Sequence, residues 1–125
     1  MYTAFKHTHL LTAVLSLLFT ALWSALAWRA SSTGDLSGRT RTVYIIHRAS
    51  AGLAGLSGLA VTFVGPWRLM LFPYVGLAAF IVHGLAASVS RRSLGAGQDA
   101  VRRTALLAQI AALIFSAYVM SAKTF

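Results

Sequence analysis

The sequence contains no cysteine and no glutamate, and only two of its 125 residues are acidic. Without cysteine there are no disulfides, thiolate metal sites, iron–sulfur clusters or cysteine nucleophiles. The two carboxylates, Asp35 and Asp99, lie in polar stretches beside arginines rather than in apolar ones. Paired-carboxylate catalysis, carboxylate-coupled proton pumping and di-iron chemistry are therefore left without donors. Serine, histidine and aspartate all occur, but not with nucleophile-elbow spacing. Charge of any kind is scarce, at 10% of residues, against about 25% in soluble domains. A water-soluble domain this small exposes too much surface to be covered by so few charges.

What is present is apolar and basic. Apolar residues make up 58% of the chain, and 11 lysines and arginines give a net charge of +9; the mean hydropathy is +0.72. Four apolar stretches, at about residues 5–28, 43–64, 69–89 and 104–122, each approach the ~20 residues that cross a bilayer core as a helix. An isolated segment in lipid must satisfy its own backbone, so each is expected to be helical. The expected fold is all-α: a polytopic membrane protein with four transmembrane helices in an antiparallel bundle, and residues 1–125 as a single domain. The basic residues read as headgroup and topology anchors, because no aromatic-interleaved basic face points to nucleic acid.

Residues 29–42 and 90–103 read as two polar loops, and Gly65-Pro66-Trp67-Arg68 as a tight link that makes helices two and three antiparallel neighbours. Arg29, Arg39, Arg41, Arg48, Arg91, Arg92, Arg102 and Arg103 fall on the side of the long loops; Lys6, Arg68 and Lys123 fall on the other. The positive-inside rule then places the long loops in the cytoplasm of a bacterial inner membrane, with both termini outside. Trp23 and Trp28 are expected at one interface and Trp67 at the other, as aromatic belts. Ala25-Leu26-Ala27 looks like a signal-peptide cleavage site, but the apolar run before it is longer than a signal core, and the segment reads as a retained span. Pro73 falls within the first turn or two of the third segment, where proline is tolerated.

Each segment carries one polar or small stripe at steps of three and four. The stripes are His9, Thr12, Ser16 and Thr20; His47, Ser50, Ala54 and Ser57; Gly76, Ala79, His83 and Ala87; and Ala105, Gln109, Ala112 and Ser116. That spacing keeps residues on one helical face. Lipid offers no hydrogen bonds, so the stripes should face the bundle interior. Ala51 with Gly55, and Ala54 with Gly58, form small-xxx-small pairs that allow close helix packing. The same run lacks the Lys-Ser/Thr ending of a phosphate loop.

The four histidines are His7, His9, His47 and His83. His7 and His9 lie near the outer end of the first segment. His47 and His83 lie within about one turn of each other in depth, at ~1.5 Å per residue. Two facing imidazoles can be axial ligands of a b-type haem, with Arg41, Arg48 or Arg91 meeting the propionates. The competing reading makes each histidine an interior polar residue bonded to a hydroxyl, an amide or a carbonyl. A transition-metal site lacks a third ligand at that depth.

The opening MYTAFKHTHLLTAVLSLLFTALW, with Lys6 and His9, resembles the start of SirB-like bacterial inner-membrane proteins. So does the second segment, with His47 near its start and the step Leu56-Ser57-Gly58, as do Arg91-Arg92 after the third. Ile46 and Ser50 stand where that family often has proline and aspartate, and its longer connection between helices two and three is here a tight hairpin. The resemblance implies a four-helix membrane protein with a regulatory role and no defined chemistry. A more distant similarity, to protoporphyrinogen-oxidase-like and copper-resistance membrane proteins, implies histidines that bind haem or metal. The leading expectation is a non-enzymatic packing, regulatory or accessory subunit, whose partners are the bilayer and other membrane proteins or further copies of itself. The alternative is a haem b electron-transfer protein using His47 and His83. A tetrapyrrole enzyme is disfavoured by the lack of intramembrane acids.

Overall fold

A computed structural model describes residues 1–29, 38–96 and 98–122. They form four helices: α1 (Tyr2–Arg29), α2 (Gly38–Val64), α3 (Phe72–Ala96) and α4 (Asp99–Ala122). Asp35 and Lys123 lie outside the described residues. Three of the helices, α1, α3 and α4, are long and apolar enough to cross a membrane. The expected second span falls short of that measure, because α2 carries Arg39, Arg41, His47 and Arg48 together with its glycines and serines.

The helices run past the apolar stretches that announce them. α2 starts five residues before Val43, and α3 continues through the arginine pair into residues expected to be loop. Apolarity marks where a segment can be dehydrated; backbone hydrogen bonding continues for as long as no residue interrupts it. Arginine is a good helix former, so Arg91 and Arg92 extend α3. At the start of α3 the order is reversed. The Gly65–Leu71 segment turns, with Met70 N donating to Trp67 O at 2.9 Å, and the helix begins three residues later than expected. Pro73 is its second residue, in the first turn, where its missing N–H has no helical partner to lose.

Neighbouring helices are antiparallel. His9 meets Ala54 and Trp23 meets Tyr44, so α2 descends along α1. Arg48 meets Gly84 across α2 and α3, and Trp28 meets Arg102 across α1 and α4. The most extensive packing is within the pairs α1–α2 and α3–α4; α2–α3 and α1–α4 join the pairs less closely. The tight hairpin does make α2 and α3 neighbours, but not the closest ones. One end of the bundle, the arginine end, gathers the end of α1, the start of α2, the end of α3 and the start of α4. The other is the hairpin end.

The stripes read from helical periodicity face inward. Thr12, Ser16, Thr20, His47, Ser50, Ser57, Ala79, His83, Ala87, Ala105, Gln109 and Ala112 are all buried. Trp23 departs from expectation. It is fully buried rather than interfacial, in a cluster with Ala27, Leu94 and Leu106 that Val43 and Tyr44 cover. Its indole N–H donates to Ser90 Oγ at 3.1 Å, and that bond allows an amphipathic ring to sit inside. Trp28 keeps an exposed edge, with the Arg103 guanidinium 5.0 Å from its ring centroid. Trp67 is half-buried and donates to Tyr2 OH at 3.0 Å.

The small-residue run of α2 is used within the bundle. A Cβ on Gly55 would lie 2.7 Å from Phe80 Cζ of α3, and one on Gly58 would lie 3.0 Å from His9 Cε1 of α1. Ala51 is buried, and the Ala54 carbonyl accepts from His9 Nδ1 at 2.9 Å. Gly55→Leu should therefore overpack the α2–α3 contact and cost about 1–3 kcal/mol of stability. Thermal unfolding in detergent measures this. Phe80→Ala in the same background should recover much of the loss, and no recovery would show that the contact is not the cause.

Candidate functional site

Midway along the bundle, four polar side chains from four different helices meet at one level. Thr20 Oγ1 of α1 and His83 Nε2 of α3 are 3.2 Å apart. The Gln109 amide of α4 hydrogen-bonds His47 Nε2 of α2. The two imidazoles face each other with ring centroids 5.3 Å apart. His47 and Gln109 are fully buried and His83 is 2% exposed. The placement follows from periodicity: each residue belongs to the inward stripe of its own helix. The depth follows from the up-down-up-down course of the chain: α1 and α3 run parallel across one diagonal, which sets residue 20 beside residue 83, and α2 and α4 across the other, which sets residue 47 beside residue 109.

The surroundings of the pair differ on its two sides. Toward the arginine end, His47 stacks on Trp23 at 6.5 Å and lies 6.0 Å from the Tyr44 ring. His47 Nδ1, Gln109 Oε1 and Ser24 Oγ are buried without a hydrogen-bond partner among the described residues. Toward the hairpin end lies a cavity of about 410 Å³ with His83 in its lining. Arg48, next to His47 in sequence, sends Nη1 to the Gly84 carbonyl at 2.9 Å.

The residues expected to hold a haem come together only in part. His47 and His83 are adjacent, as their depths required. A bis-histidine haem nevertheless does not fit this arrangement. Its macrocycle must pass between the two rings, which are 5.3 Å apart at their centroids. Both Nε2 atoms are already engaged, by Gln109 and Thr20, and Trp23 and Tyr44 close the far side of His47. The three arginines scatter. Arg48 is tied to α3, Arg41 is exposed and Arg91 half-buried, the last two about 9 and 12 Å along the helix axes from their histidines at 1.5 Å per residue. Among the described residues, no group of three His, Cys, Asp or Glu side chains gathers to hold a metal ion.

His9 is separate from the pair, as expected. It bonds the Ala54 carbonyl and lies 3.3 Å from Ser57 Oγ, so it ties α1 to α2 nearer the hairpin end. His7 is exposed. Sequence reasoning missed Arg102, which reads as a headgroup anchor but is 1% exposed. It pairs with Asp99 at 2.7 Å and donates to the Trp28 carbonyl at 3.4 Å. The signal was an aspartate three residues ahead of an arginine, the spacing of a helical ion pair. A buried guanidinium needs such partners.

Comparison of the chain with family models, curated proteins and solved structures finds no match. The meaning of the site therefore rests on its own geometry, which is that of a polar cross-brace with a cavity on one side.

The brace predicts a characteristic asymmetry. Gln109→Leu and His47→Leu each strand a buried polar partner, so each should cost about 1–3 kcal/mol of stability. The double variant leaves apolar atoms facing apolar atoms and should cost less than the two singles together, by about 0.5–3 kcal/mol. Unfolding of the detergent-solubilised variants tests this, and strict additivity would count against the bond. The same geometry predicts purified protein without a Soret band; a band abolished in His47→Ala and in His83→Ala would restore the haem reading.

Proposed function

We propose that this chain is a small integral membrane protein of the bacterial inner membrane, built on the SirB-like plan and acting as a non-enzymatic accessory or regulatory subunit. The observation that carries the reading is the division of polarity between outside and inside. Outward residues on every helix are large and apolar: Leu11 and Val14 on α1, Ile81 and Val82 on α3, Ile114 and Phe115 on α4. α2 obeys the same rule. Its exposed residues include Ile45, Leu53, Leu56, Phe63 and Val64, while His47, Ser50 and Ser57 face inward. Its low average hydropathy thus comes from His47, Ser50 and Ser57 on the side that touches protein and from the exposed Arg39 and Arg41 of its first turn. With 27 residues it is as long as its neighbours, about 40 Å at 1.5 Å per residue, enough to cross the hydrocarbon core with them.

The non-enzymatic character is supported by what surrounds the histidines. Their partners are a threonine hydroxyl and a glutamine amide, and among the described residues no carboxylate stands behind either imidazole to orient it as a base. Asp99 is exposed and paired with Arg102. Protein partners, in this reading, meet the outer apolar faces, because Ala51, Ala54, Gly55 and Gly58 pack within the bundle.

Arg39, Arg41, Arg91, Arg92 and Arg103 gather at the arginine end, which is placed in the cytoplasm by the positive-inside rule. The start of α1 and the end of α4 then lie outside. Alkaline phosphatase fused after Phe125, or in the hairpin after Arg68, should be active, and a fusion after Gly97 should be inactive. Termini on opposite faces of the membrane would mean an odd number of spans and would sink the four-span reading; a cytoplasmic signal at Phe125 would reverse the orientation.

A further inference from the structure

The half of the bundle toward the hairpin is hollow. The cavity of about 410 Å³ falls within the range of roughly 300–1,000 Å³ typical of small-molecule sites. All four helices line it, and only in this half: its innermost residues are Leu17, Ala51, His83 and Ala112. Its room comes from small side chains, among them Ala13, Ala51 and Ala79, where the other half carries Trp23, Leu94 and Leu106.

The inner end offers a directed hydrogen bond. The Thr20 hydroxyl bonds His83 Nε2 and no other atom among the described residues. With that hydroxyl donating to Nε2, the imidazole proton sits on Nδ1. Nδ1 has no partner among the described residues and is not among the fully buried, unpartnered polar atoms. His83 lines the cavity, so the N–H is available to an occupant. The Ser16 hydroxyl lines it as well. No carboxylate does, and the charged lining residue, Lys6, is exposed near the start of α1. The occupant's inner end is therefore an uncharged acceptor: Arg48, beside His83, is outside the lining and bonded to the Gly84 carbonyl, so an ion beside Ala51, Ala79 and Ala112 has no counter-charge within the cavity.

The side between α1 and α4 gives access. Leu10, Leu17 and Ala117 belong to the lining and are also exposed. The polar contacts between these two helices lie at the arginine end, at Trp28 with Arg102 and Arg103. An apolar molecule can reach the cavity through that gap without crossing a polar surface.

We propose that this cavity binds an uncharged, single-tailed lipophilic carbonyl compound, the chemistry of a membrane quinone. Its leading oxygen accepts from His83 Nδ1, and its tail leaves between α1 and α4. The proposal is one of binding and includes no redox step. It depends on the membrane reading only for the route of access, so binding in detergent tests the cavity independently of topology.

The test is titration calorimetry of the full-length protein in non-ionic detergent, with a decyl-chain benzoquinone and an empty-micelle blank. Saturable binding with about one site per chain is expected. His83→Phe should weaken it about tenfold, the worth of one buried hydrogen bond. Ala13→Phe, which fills the cavity and leaves the polar brace alone, should weaken it at least as much. Decylbenzene, which lacks the acceptor, and decanoate, which carries a charge, should not displace the quinone. Absence of saturable binding, equal displacement by either analogue, or unchanged affinity in Ala13→Phe would overturn the proposal. If His83→Phe does not fold, the cavity-filling variant and the two analogues still decide it.

Discussion

Two hydrogen bonds, Thr20 with His83 and Gln109 with His47, connect helices that are not neighbours. α1 and α3 form one diagonal of the bundle, α2 and α4 the other, and backbones approach least along those diagonals. Side chains bridge them at a single level, with the two imidazoles meeting at the centre. In a dehydrated interior an unmatched imidazole or amide is costly. A slip of one helix along its axis would separate these partners, so the brace sets the register of all four helices together. This is the kind of specificity that a core of leucine and alanine, tolerant of sliding, cannot supply.

The brace also divides the interior. On one side Trp23, Leu94, Leu106 and Tyr44 fill the space, and Arg102 closes the end through Asp99 and the Trp28 carbonyl. On the other side glycines and alanines are interspersed with larger residues. Three of those glycines seat a neighbour, Phe80 over Gly55, His9 over Gly58 and Met120 over Gly76, and the space beside Ala13, Ala51 and Ala79 is left as the cavity. A packed half and a hollow half within one short bundle follow from the distribution of side-chain volume along four stripes. The cavity has His83 at its inner end, with the cluster of Trp23, Leu94 and Leu106 beyond it.

Much of this was legible in the chain itself. The four inward stripes could be read because helical period is local: a polar residue every three or four positions declares a face whatever lies opposite. The approach of His47 to His83 could be read from depth, because a tight hairpin fixes where α3 starts relative to the end of α2. Other features could not be read. Trp23 has the composition of a belt residue, and its burial depends on Ser90, 67 positions away. Arg102 has the position of an anchor, and its burial depends on how closely the end of α1 approaches α4. The helix ends were misjudged because hydropathy reports dehydration, whereas a helix stops only where its backbone is interrupted, as at Gly65-Pro66.

The sequence alone determined the class of architecture: four helices, their order, the side of each that turns inward, and an apolarity that lets three of them cross a membrane. These are consequences of composition and of a 3.6-residue period, and both act within a single segment. Only the tertiary structure decided which polar groups pair across the diagonals, that the glycine face of α2 is consumed within the bundle, and that a cavity of about 410 Å³ remains on the hairpin side of the brace. Those outcomes depend on axial register and on volumes contributed by four helices at once, and neither quantity is carried by any one stretch of chain.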